Sequence, residues 1–179
     1  VYRPRCHECS ACVPIRIPVD DFRPSRSQRR VVNRNSELIV ERKPARYQEE
    51  HFDLYARYIG DRHLGGGMED PDPTSYMDFL TASWAETFFL EFRLKQRLIA
   101  VAVVDELADG LSAVYTFFDP AESKRSPGRF AILKEIELTQ QFGLQWLYLG
   151  YWIEQCRKMS YKRSDERWVG EEWRERGGG

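Results

Sequence analysis

The chain has 179 residues, and its 42% hydrophobic content, with ten Phe, nine Tyr and five Trp, excludes an intrinsically disordered polypeptide, which lacks the apolar surface needed to offset chain ordering. Acidic and basic residues nearly cancel, 28 against 27, so charge alone assigns no nucleic-acid or membrane partner to the molecule as a whole. The longest apolar runs, Leu98–Val104 and Trp146–Ile153, fall far short of the roughly 20 residues that cross a bilayer as a helix, and a cytoplasmic protein with no membrane partner is expected.

The basic excess is local. Residues 1–46 hold eleven Lys and Arg against five Asp and Glu, the form an anion-binding site takes. The chain opens on Val1-Tyr2-Arg3-Pro4 without an initiator Met and is read as lacking a native front segment. Cys6, Cys9 and Cys12 crowd at two-residue spacing and point to a reducing compartment. Three thiolates suit zinc or an iron–sulfur cluster but lack a fourth ligand, and His7 is poorly placed beside Cys6. Reduced packed thiols are therefore expected, with no metal and no cofactor.

Val13–Val19 alternates as a strand, and Pro14 and Pro18 suit it to an edge. Ser25-Arg26-Ser27-Gln28 has the form of a capping box and opens a basic helix through Asn35. Glu37–Glu41 reads as a second strand ended by Pro44. Tyr47–Arg62 places Phe52, Tyr55, Ala56 and Ile59 on one helical face. After Gly65-Gly66-Gly67, Asp72-Pro73 starts a short helix to about Ser83, with Tyr76, Phe79 and Leu80 inward. Thr87–Leu94, Leu98–Glu106 and Leu111–Phe118 form an antiparallel meander with Asp109-Gly110 as a turn. Ser126-Pro127-Gly128 opens a long helix closed near Gly143, and Trp146–Ile153 reads as a central strand buried on both faces. The order is α+β. Residues 1–46 are read as a small basic Cys-containing subdomain, 47–163 as the main domain and 164–179 as a frayed tail without function. No feature of the sequence sets an oligomeric state.

Four segments carry a resemblance. They are Tyr2-Arg3-Pro4-Arg5-Cys6 through Cys12-Val13-Pro14-Ile15-Arg16, Phe22-Arg23-Pro24-Ser25-Arg26-Ser27-Gln28-Arg29-Arg30, Asp105 through Val114-Tyr115-Thr116-Phe117-Phe118-Asp119-Pro120, and Leu147-Tyr148-Leu149-Gly150-Tyr151-Trp152 through Lys162. Together they resemble the bacterial aspartate/glutamate leucyltransferases, a branch of the arginyl-tRNA–protein transferase family. The resemblance implies a GNAT-like acyltransferase core, leucyl-tRNA as donor, and acceptor proteins with N-terminal Asp or Glu that are thereby marked as N-degrons. Family members begin earlier, with another Cys, and end on an Asn-Phe-Arg-Pro-like segment that Arg163-Ser164-Asp165-Glu166 does not match.

Candidate residues follow from chemistry. Arg23, Arg26, Arg30 and Arg34 step by three and four along an acid-free helix, with Arg29 beside them, and would grip tRNA phosphates. Asp105, at a strand end, and Glu135, on the long helix, are candidates for the proton acceptor, and Tyr148 joins them as a catalytic candidate. Asp119-Pro120 is read as a turn starter. Tyr115, Phe117, Phe118, Tyr148, Tyr151 and Trp152 would line the donor site, and Gly150 suggests close backbone approach. Arg16, Lys158 and Lys162 are the candidate cations for an acidic acceptor, whose buried carboxylate needs a partner. His51 and His63 have no evident partner and receive no ligand role. Arginine as donor, an acyl-CoA-dependent GNAT enzyme and a non-catalytic nucleic-acid-binding module remain alternatives, although Arg125-Ser126-Pro127-Gly128-Arg129-Phe130 holds a single Gly where a CoA pyrophosphate loop needs more.

Overall fold

The computed structural model describes residues 12–62, 72–81, 84–152 and 171–172. Its elements in chain order are β1 (Val13–Pro18), α1 (Arg26–Arg34), β2 (Leu38–Pro44), α2 (Glu49–Arg62), α3 (Pro73–Leu80), β3 (Glu86–Leu94), β4 (Arg97–Glu106), β5 (Gly110–Phe118), α4 (Pro127–Gln141), β6 (Trp146–Trp152) and the two-residue β7 (Glu171–Glu172). The fold is mixed α/β. One sheet runs in the order β2-β3-β4-β5-β6-β1-β7, and only the β5–β6 pair is parallel, as its α4 crossover requires.

Local chemistry explains the element ends. Ser25 accepts the backbone N–H of Gln28 while the Gln28 side chain accepts that of Ser25, completing the capping box that starts α1. Asp72 caps α3 through the N–H groups of Thr74 and Ser75, with Pro73 at the first helical position. Asp119 caps the 3₁₀ turn over Pro120–Arg125 and pairs with Arg97, so its role is the turn role expected of it.

Alternation along the meander divides its side chains between two cores. Phe88, Leu90, Phe92, Ala102, Val104 and Leu111 pack with Val31 of α1 and with Phe130, Leu133 and Ile136 of α4. Phe89, Val101, Val103 and Phe117 pack on the other face with Tyr55, Tyr58 and Ile59 of α2 and Tyr76 and Leu80 of α3. Helices therefore cover both faces.

Four expectations need correction. On α3, Tyr76 and Leu80 are buried, but Phe79 is exposed. The buried stripe of α2 is His51, Leu54, Tyr55, Tyr58 and Ile59, whereas Phe52 and Ala56 are half-buried. β6 is central but not buried on both faces: Leu147 and Leu149 are inside, and Trp146, Tyr148 and Tyr151 are half-buried. β1 is not the edge, because Glu171–Glu172 pairs with Ile15 and Arg16 on its outer side. These two residues belong to the stretch read as a frayed tail.

Candidate active site

The parallel ladder between β5 and β6 is short. Gly110, Leu111 and Ser112 pair with Trp146, Leu147 and Tyr148, yet both strands run on, to Phe118 and Trp152, with no further rungs between them. The sheet parts there. At the same level each strand carries a bulge on its opposite, antiparallel side. In β5, Val114 is the extra residue between Ala113, opposite Val104, and Tyr115, opposite Val103. In β6, Leu149 and Gly150 together face Ile15 of β1, and Gly150 holds φ at 72°, a left-handed value that favours glycine.

The two bulges have one consequence for side chains. Residues three apart normally point to opposite faces of a strand. Here Ser112 and Tyr115 lie opposite Asp105 and Val103, which share a face, and Tyr148 and Tyr151 lie opposite Arg16 and Pro14, which also share one. The parting strands thus present Ser112 and Tyr115 on one side and Tyr148 and Tyr151 on the other, all toward the α2 and α3 face.

At the closed end of the parting a polar row crosses five strands in register: Thr87, Asp105, Ser112, Tyr148 and Arg16. The Thr87 hydroxyl donates to Asp105 at 2.6 Å. Burial raises the Asp105 carboxyl above its ordinary value, against the opposing Thr87 bond. Tyr148 donates its hydroxyl to Asp109, 3.0 and 3.1 Å from the two carboxylate oxygens. Burial and Asp109 raise the Tyr148 phenol, and Arg16 opposes them. The Arg16 guanidinium lies 3.5 Å over the Trp146 ring.

Above the row stands an aromatic wall. Tyr115 meets Phe79 at 5.2 Å between ring centres and Tyr58 at 6.3 Å, and Phe118, at the far end of β5, meets Tyr58 at 5.0 Å. Phe79 is 48% exposed and Val114 39%, so apolar surface faces outward beside the parting.

Other candidates are placed elsewhere. Glu135 is fully buried on α4, across the sheet from Asp105, so the two carboxyl groups form no pair. Both its oxygens lack a hydrogen-bond partner among the described residues, and burial pushes the group up to about 8. It is protonated at neutral pH. On α1, Arg26 and Arg30 project to solvent, as do Arg23 and Arg29, which turn back onto the carbonyls of Asp20, Phe22 and Pro24. Arg34 joins α1 to the carbonyl of Lys124. The Trp152 backbone pairs with Val13. Cys12 is half-buried, whereas Cys6, Cys9, Lys158, Lys162 and His63 lie outside the described residues.

Two features escaped the sequence reading. His51 is paired: it meets Glu91 at 2.7 Å in the core between α2 and β3, and Arg93 and Glu50 extend the network. Burial lowers His51 despite that contact. In sequence Asp109 is only half of a turn signal, and no pattern announces its bond to a tyrosine 39 positions on.

Comparison with known proteins places this geometry in a family. Residues 1–30 match the N-terminal model of the arginine-tRNA-protein transferases and residues 50–166 the C-terminal one. An aspartate/glutamate leucyltransferase of Alcanivorax borkumensis is 54% identical over 162 residues, covering 90% of this chain and 67% of its own. One of Pseudomonas aeruginosa is 52% identical over 176 residues, covering 97% and 75%. In fold, the chain is similar to FemX with a TM-score of 0.63 at 10% identity, over 89% of this chain and 58% of that one.

Proposed function

The chain belongs to the arginine-tRNA-protein transferase family, and from that membership we propose that it moves leucine from leucyl-tRNA onto the α-amine of proteins beginning with Asp or Glu, marking them as N-degrons. The enzyme is an aminoacyl-tRNA–protein transferase. The observation that carries the leucine assignment is identity above one half with curated aspartate/glutamate leucyltransferases over nine tenths of the sequence. We read the sheet as GNAT-like, a reading supported by the meander, the α4 crossover and the parting of β5 from β6.

The chemistry asks little beyond placement. The ester of a charged tRNA is already activated. The acceptor amine attacks its carbonyl carbon, a C–N bond forms, the C–O bond to the tRNA ribose breaks, and the amine loses a proton while the ribose oxygen gains one. An α-amine with pKa near ~8 is partly neutral at pH 7, so positioning and a proton acceptor suffice. No covalent enzyme intermediate is needed.

The parting is our assigned donor site. Tyr115, Phe118, Tyr151 and Val114 offer apolar surface for a leucyl side chain, Asp105 takes the amine proton through the polar row, and Arg16 meets the acceptor carboxylate. Arg23, Arg26, Arg29 and Arg30 face the tRNA phosphates, and Lys158, Lys162 and Trp152 remain assigned to the substrate side by the sequence alone. Glu135, buried on the opposite side of the sheet, has no part in proton removal in this assignment.

Donor choice is the direct test. With a peptide beginning with Asp, leucyl-tRNA should yield a product heavier by one leucine residue, and arginyl- or phenylalanyl-tRNA should yield little. Preference for arginyl-tRNA would move the chain to the arginine-transferring branch.

A further inference from the structure

The turn between β4 and β5 does more than reverse the chain. The Asp109 carbonyl accepts the backbone N–H groups of Gln145 and Trp146 at 3.0 and 3.2 Å, tying the turn to the start of β6. Gly110 follows, and a Cβ there would lie 2.2 Å from the Trp146 carbonyl oxygen and 3.0 Å from the Tyr148 ring. The Tyr148 ring therefore lies directly over the turn, with its hydroxyl delivered to both oxygens of the Asp109 carboxylate.

A phenol has one proton to donate and lone pairs with which to accept. Because that proton goes to Asp109, the Tyr148 oxygen keeps its lone pairs for Arg16, its register partner on β1, whose charge opposes the upward shift of the phenol and whose guanidinium rests on Trp146. Tyr148 thus stands between Arg16, its cross-strand partner, and Asp109, which takes its proton. A guanidinium stacked on a ring beside an oriented phenol loses little further freedom when it meets a carboxylate, and such preorganisation strengthens binding.

We propose that Asp109 is a positioning residue for acceptor selection, holding Arg16 through Tyr148 so that the guanidinium receives the acidic side chain of the acceptor. The inference rests on the transferase reading above. Asp109 touches no substrate and does no chemistry. Its carbonyl is kept by any residue, so Asp109→Ala removes the side-chain bond without untying the turn, and Asp109→Asn keeps an oxygen that accepts the phenol.

The test uses the full chain, leucyl-tRNA and peptides beginning with Asp. Asp109→Ala should raise KM for the peptide about tenfold, the loss of one charge-assisted contact, with kcat and leucyl-tRNA affinity within about twofold. Asp109→Asn should restore most of the loss. In a Tyr148→Phe background Asp109→Ala should add nothing, since both act along one path. A Tyr148 titration followed by tyrosine-ring NMR should move to lower pH in Asp109→Asn, a readout that does not depend on transfer. A wild-type chain that transfers leucine while the Asp109→Ala KM stays put, or losses that multiply in the double variant, would overturn this inference alone. A wild-type chain that transfers nothing to acidic peptides would remove the transferase reading and this inference together.

Discussion

Asp105 and Glu135 are both carboxyl groups pushed upward by burial, and they differ in what surrounds them. Asp105 stands in the polar row beside Ser112 with a Thr87 hydroxyl on one oxygen. Glu135 sits on α4 among Ala131, Leu133 and Ile136, with no bond to either oxygen among the described residues. A base must be ionised to act, and Asp105 gains that form as pH rises through its raised value. kcat/KM should therefore climb in two steps, one as Asp105 ionises and one as the acceptor amine, near ~8, loses its proton. Asp105→Asn should remove one step, keep the amine's step near ~8 and lower the rate by about 10²–10⁴-fold. A pH–rate profile in which Asp105→Asn retains both steps would assign the base elsewhere.

The elements with strong local signals were legible in sequence. The capping box at Ser25, the Asp72-Pro73 start of α3 and the three meander strands all lie where their residues place them, because capping and alternation are decided within a few residues. The bulges were not legible. Val114 and Gly150 shift the register of their strands, and alternation read from sequence puts Tyr148 and Tyr151 on opposite faces when they share one. His51 escaped for a related reason: its partner Glu91 is 40 positions away, and the apolar pattern of α2 pointed to Phe52. For α1 the sequence gives the spacing and the structure gives the exposure of Arg26 and Arg30. Changing both to Ala should weaken tRNA binding and reduce the slope of log K against log salt by roughly two contacts' worth. A slope equal to that of the wild type would leave α1 without a tRNA role.

At the scale of the whole molecule, one sheet joins the basic front of the chain to its catalytic end. β1 pairs with β6 and β2 with β3, so residues 13–44 enter the sheet at two separated places. The arrangement sets Arg16, from the front, in the same cross-strand row as Asp105, from the meander. Neighbouring strands are about 4.8 Å apart, so three spacings separate the two backbones by about 14 Å, which in the proposed assignment lets an acceptor's acidic side chain meet Arg16 at one end of the row while its amine faces Asp105. In the proposed assignment, selectivity and proton removal both depend on the integrity of a single sheet. The measurement that reaches this claim most directly is single-turnover transfer of labelled leucine from leucyl-tRNA to peptides identical except for a first residue of Asp, Glu, Ala or Lys, for the wild type and for Arg16→Gln. The wild type should transfer rapidly to Asp and Glu, and Arg16→Gln should lose that preference while keeping tRNA binding; equal transfer to all four peptides by the wild type, or an unchanged acidic preference in Arg16→Gln, would overturn the assignment.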